Sequence, residues 1–210
     1  MPLGNAIALK RVTILPNIGL AFFYAFILLV VLLHFLKPEF DLRERFISEY
    51  AVGRYGFIMT IAFLCLSSGS FILAVAVITT QIRKKVYYLI SALLFIWSIC
   101  IAIAAIYPTD LKGSTETATG NIHDNISLLG FVIIVITTFV SLRLKTGKTD
   151  DLSSPPMLLP IAVLVSFLAM MAAIILSLNF IGLIQRVFIG MVVIWLITTA
   201  RKIKFINTIK

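Results

Sequence analysis

The side chains best suited to chemistry fall in four short segments. These are Ser48-Glu49-Tyr50 with Arg54 close by, Thr109-Asp110, His123-Asp124 and the run that ends at Arg186. Imidazole changes charge near neutral pH, so His123 is a candidate general base or metal ligand. Asp110 lies one loop earlier and would be the carboxylate that orients the ring. Arg186 offers a forked cation to a carboxylate such as Asp110 or Glu49, or to a lipid phosphate. Glu49 and Arg54 are near enough to pair locally or to roof a cavity, with Ser48 beside them.

Each group also has a plainer use. Asp110 follows Pro108 and could close a turn. Asp124 suits the positive end of a helix that starts near Thr119 or Asn121. Arg186 could extend to the head groups, and His123 or His34 could simply be hydrogen-bonded within a bundle. These are the chain's two histidines. Catalytic zinc normally takes three protein ligands, so no metal or cofactor is assigned, with zinc kept as the one alternative. Cys65 and Cys100 lie in apolar runs and read as packing residues. There is no phosphate-binding loop, Rossmann fingerprint, G-x-S-x-G or H-E-x-x-H.

The elements that must position these groups follow from composition. Of 210 residues, 60% are apolar and 13% charged, against about 45–50% and about 25% in soluble domains. Mean hydropathy is +1.08. This excludes a disordered chain and a soluble enzyme of ordinary build. A bilayer core of about 30 Å needs about 20 apolar residues per helix. Six stretches qualify, at roughly 14–36, 57–79, 86–107, 123–142, 157–178 and 181–200. Alternation typical of barrel strands is missing, so the runs are helices. The expected fold is an all-α, six-transmembrane-helix bundle forming one domain over 1–210. The last two spans nearly touch and require a tight hairpin near Asn179–Gly182. The first span is too long for a signal-peptide core and is read as retained.

The net charge of +9 reads as orientation rather than nucleic-acid binding. Twelve of the 18 Lys and Arg residues fall on the side of the termini, which the positive-inside rule places in the cytoplasm. The protein is therefore expected in the cell membrane with both termini cytoplasmic. The loops at 37–56 and 108–122 are then on the outer face, where a polar site is expected. Asp41 and Glu44 resemble a helix start, and Phe40, Arg43, Ile47 and Tyr50 follow at helical spacing. They predict a short amphipathic helix lying in the interface. Ser67, Ser68, Gly69 and Ser70 would let helices approach closely. Ionisable groups are scarce at mid-depth, which argues against a pump or channel.

Four motifs together resemble a known family. They are Ser48-Glu49-Tyr50 with Gly53 and Gly56, Tyr107-Pro108-Thr109-Asp110, Gly120-Asn121-Ile122-His123-Asp124, and Gly182-Leu183-Ile184-Gln185-Arg186. They resemble the six-span domain-of-unknown-function family numbered nine-nine-eight, over about residues 12–205. The resemblance features Ser48, Asp110, His123 and Arg186, and implies six helices with one outer polar cluster. A weaker likeness is to six- or seven-span lipid hydrolases such as alkaline ceramidases, which hold zinc with several histidines, an Asp and a Ser. This chain offers Asp110, His123 and Ser48 for that pattern but lacks the further histidines.

Two functions follow as expectations. In one, Arg186, Glu49, Ser48, Arg54 and Asp124 grip a lipid head group or small ligand, or simply hold the loops together. In the other, a hydrolase or transferase acts on a lipid or lipid-linked substrate, with His123 as base and Asp110 orienting it. Membrane lipids are the expected partners in both; oligomeric state is left open.

Overall fold

A computed structural model describes residues 3–80, 85–144 and 157–208, with side chains from 14 to 206 within those ranges. Among the described residues the regular structure is helical. The long helices are α1 (Leu3–Leu36), α2 (Gly56–Ile78), α3 (Lys85–Ile106), α4 (Ala118–Ser141), α5 (Leu158–Ile175) and α6 (Ile181–Thr208). Each contains a stretch long and apolar enough to cross a membrane. Apolar side chains such as Leu28, Leu64, Leu129, Val165 and Ile194 face outward, as lipid-facing residues do. The chain is a multi-pass membrane protein.

The helix ends differ from expectation where polar residues join a helix. α4 starts at Ala118, a little ahead of the caps expected at Thr119 or Asn121 and of the apolar span at 123, because Thr117 caps it by accepting from the Gly120 amide at 3.1 Å. His123 and Asp124 thus ride on the second turn. α6 continues to Thr208, well past 200.

The helices form an incomplete ring. α2 packs between α1 and α3, α4 packs on α3, α6 on α1 and α5 on α6, whereas α4 meets α5 over only a short stretch. Small residues permit the close crossings. Gly69 lies where an added Cβ would strike the Phe23 ring, and Gly19 sits over the Gly69 carbonyl. Polar side chains inside the bundle are bonded across helices. Ser67 donates to the Ser98 carbonyl (2.8 Å), Ser91 to that of Ala74 (2.9 Å), and the Trp97 and Trp195 indoles to Ser70 and Ser141 (both 3.1 Å).

The α1–α2 connection corrects one expectation. It is a set of turns ending in a short 3-10 helix, Ser48–Ala51, rather than an amphipathic helix running on from Asp41. Ile47, Ser48, Glu49 and Tyr50 are buried in the bundle's end. Asp41 does start a turn, accepting from the Arg43 amide at 2.8 Å, but the helix stops there. The reason is inward packing: Lys37, Gln185 and Arg186 capture backbone groups that a longer helix would keep for itself.

Candidate functional site

The polar residues singled out in the sequence all lie at the end of the bundle opposite the termini. They divide into two groups with different environments.

The first group is a clasp between α1, the α1–α2 loop and α6. Arg186 donates from Nη1 to the carbonyls of Leu42 (2.9 Å), Arg45 (2.7 Å) and Gly182 (2.9 Å). Its Nε donates to His34 Nε2 at 3.1 Å, while His34 Nδ1 lies 2.6 Å from the Val30 carbonyl. The Nδ1 proton therefore faces Val30, and Nε2 is the acceptor. The guanidinium stands 5.6 Å from the Tyr50 ring centre. Its Nη2 is buried and has no hydrogen-bond partner among the described residues. Gly182 is required here: a Cβ would run into the Arg45 carbonyl, so only glycine lets the loop reach α6.

Glu49 completes the clasp. It is fully buried, and its oxygens accept from Arg45 Nη1 (2.7 Å), the Phe46 amide (2.9 Å) and the Lys112 amide (3.1 Å). The last bond ties the α1–α2 loop to the α3–α4 loop. Lys37, 2% exposed, turns inward and donates to the carbonyls of Tyr50 (3.3 Å) and Val52. Burial pulls its ammonium below the ordinary lysine range, with Glu39 opposing. Burial likewise lifts the Tyr50 phenol, against the nearby Arg186 cation. Arg54 is exposed and stacks over Tyr55 at 4.7 Å, rather than pairing with Glu49.

The second group sits where α3 hands over to α4. The expected Asp110–His123 and Asp110–Arg186 pairings are not formed. Asp110 Oδ2 accepts from the Thr117 amide (2.7 Å) and Oδ1 from its hydroxyl (2.9 Å). A carboxylate that is misplaced at the end of α3 is thereby welcome at the positive start of α4. Gly120 makes the approach feasible, since its Cβ would overlap the Asp110 carboxylate. Asp124 accepts from the Thr109 hydroxyl at 3.2 Å.

His123 is 3% exposed. Its Nδ1 lies 3.0 Å from the Ala104 carbonyl and 2.8 Å from that of Tyr107. Pro108 has no amide hydrogen, so the last carbonyls of α3 need another donor, and the imidazole supplies it. Nδ1 is thus the protonated nitrogen. Nε2 remains as an acceptor with no bond to any described residue.

Between the two groups is a cavity of about 320 Å³. Phe26, Phe63, Leu66, Phe131, Met170 and Ile189 form its apolar walls. Ser48, His123, Asp124, Ser127 and Gln185 make its polar end. Leu128 of α4 and Ile174 of α5 line it and are each about half exposed, at the pair of neighbouring ring helices in least contact. The cavity therefore opens sideways through the α4–α5 gap. Gln185 spends its carbonyl on the Ile47 amide (2.7 Å). No described residue bonds its amide nitrogen, the Ser48 hydroxyl or His123 Nε2.

Sequence reasoning assembled one cluster from Asp110, His123 and Arg186; the structure places Arg186 in the clasp and Asp110 and His123 at the α3–α4 junction, each bonded to partners of its own. Glu49 and Arg186 do not line the cavity. Ser48, His123 and Asp124 do, joined by Ser127 and Gln185, which sequence reasoning did not select. Gln185 had a signal, since an amide in an apolar span must find partners. Ser127 had none. Among the described residues no three His, Cys, Asp or Glu side chains gather in a way that would hold a metal ion.

No curated protein and no solved structure matches the chain. A family model described as Protein of unknown function (DUF998) matches residues 18–202. That range contains both polar groups, the cavity between them and nearly all of the six-helix bundle, and the chain belongs to the DUF998 family.

Proposed function

We propose that this protein binds a single-chain amphiphile taken from the membrane. The apolar tail fills the cavity and the head meets Ser48, His123, Asp124, Ser127 and Gln185. The observation carrying this reading is the pairing of apolar walls with polar atoms that no described residue bonds, beside an opening at the α4–α5 gap. Ligand sites have this composition and a size of about 300–1,000 Å³, and polar atoms left open in a cavity call for water or a ligand. By the distribution of Lys and Arg, the termini are cytoplasmic and the cavity lies in the outer half of the cell membrane. A single cysteine placed at Lys112 tests that orientation: labelling by an impermeant reagent from outside is expected, and labelling only from the cytoplasmic side overturns it.

Native mass spectrometry of the purified protein tests binding. The expected result is a retained lipid-sized mass that Ser127→Trp or Ile189→Trp removes, with the unfolding temperature kept within a few degrees. Unchanged retention in both variants overturns the reading.

One observation favours a second reading, a lipid hydrolase or transferase. His123 presents a basic nitrogen to the cavity with its tautomer fixed by two carbonyls, in the manner of a general base. The orienting partners are then Ala104 and Tyr107, not Asp110. Turnover of a long-chain ester that His123→Gln abolishes would establish it; an equal rate in that variant would end it.

A further inference from the structure

The polar end of the cavity has a definite electrostatic character. Asp124 is its one charged side chain, and among the described residues lining it none is Lys or Arg. Arg186, next in sequence to Gln185, gives its Nε to His34 and its Nη1 to three backbone carbonyls and is not part of the lining. Lys37 is likewise turned onto the carbonyls of Tyr50 and Val52. His123 offers Nε2 as an acceptor, because Nδ1 is spent as a donor on Ala104 and Tyr107. Ser48 and Ser127 offer hydroxyls, and Gln185 offers an amide N–H. Asp124 is exposed and stands at the cavity's polar mouth, so an anionic head would leave water for a largely apolar space past a like charge, with no lining cation to replace its hydration. A head with O–H or N–H groups would find acceptors at His123 and Asp124.

Building on the amphiphile-binding reading, we infer that the site selects a hydrogen-bond-donating head group without negative charge, such as a glycerol monoester or a primary amine, and rejects carboxylates and phosphates. The phosphate role first considered for Arg186 is thereby set aside.

Four probes with one dodecyl chain test this: the glycerol monoester, the amine, the carboxylate and the phosphate monoester. Each is titrated at pH 8 into the protein in lipid nanodiscs, with the bound fraction read by native mass spectrometry. The monoester and the amine are expected to bind at least about tenfold more tightly than the two anions. Asp124→Asn keeps an oxygen for Thr109 and removes the charge, so it is expected to narrow that ratio by several-fold. If an anion binds most tightly, the head-group inference fails while the cavity reading stands. An unchanged ratio in Asp124→Asn also overturns the inference, since the selecting charge is then elsewhere. If none of the four binds and Ser127→Trp alters nothing, the cavity reading itself fails.

Discussion

The Arg186 clasp and the His123 cavity wall share one end of the bundle but use polarity in opposite ways. In the clasp, charged side chains are spent chiefly on the backbone: Arg186 gives Nη1 to three carbonyls and leaves only its buried Nη2 unbonded among the described residues, and Glu49 accepts from two amides and Arg45. On the cavity wall, mostly neutral side chains keep one atom unspent. Charge attracts the eye in a membrane sequence, yet a charge at a helix end in lipid must be satisfied before the fold is stable. Atoms available for recognition are therefore found among the less conspicuous hydroxyls, amides and imidazole.

Mutations can break that contrast. The largest effect is expected from Arg186→Gln, which strands the loop carbonyls of Leu42 and Arg45 and should cost about 3 kcal/mol of stability. Thermal unfolding in detergent would measure it. Arg186→Lys should recover only part, since an ammonium cannot reproduce the fork. Glu49→Gln comes next, at about 2 kcal/mol. Because Glu49 bridges two loops, deuterium uptake should rise in both 37–55 and 107–117; a rise in the first alone would deny the bridge. Gly120→Ala should cost about 1–2 kcal/mol by driving a methyl group into Asp110 and loosening the α4 cap. On the cavity side, Ser48→Ala should change stability by less than about 0.5 kcal/mol while lowering lipid retention. An equally large loss of stability there would erase the distinction between the regions.

The smallest effect concerns pH. The Tyr50 phenol titrates higher in the folded chain than its ordinary value of 10.0, chiefly through burial. Its contribution is then fully present below pH 10.0 and is lost as pH rises through the folded value. Tyr50→Phe should flatten that alkaline decline. Lys37 has the opposite sense: its folded value is depressed below 10.5, so its contribution grows on the alkaline side. A steeper decline in the wild type than in Tyr50→Phe is the expected balance.

The spans were legible because lipid imposes one demand, about 20 apolar residues with every backbone group bonded internally. The hairpin near Asn179–Gly182 followed from the same arithmetic, and the structure turns between Ile175 and Ile181. The partners were not legible. Asp110 satisfies a cap three-dimensionally adjacent to it, and its true partner, Thr117, is an ordinary loop residue by composition. The inward fold of Lys37 depends on carbonyls that any residue carries, so side-chain types could not announce it. The motif glycines did mark the right places. Gly120 and Gly182 each stand where one element touches another, which a sequence reader sees as a pattern without its geometry.

The sideways opening between α4 and α5 sets how a guest would be counted. A molecule entering there never crosses bulk water, so occupancy answers to its mole fraction in the surrounding leaflet and not to its aqueous solubility. Dilution with buffer would leave the guest in place, whereas dilution with fresh lipid would strip it.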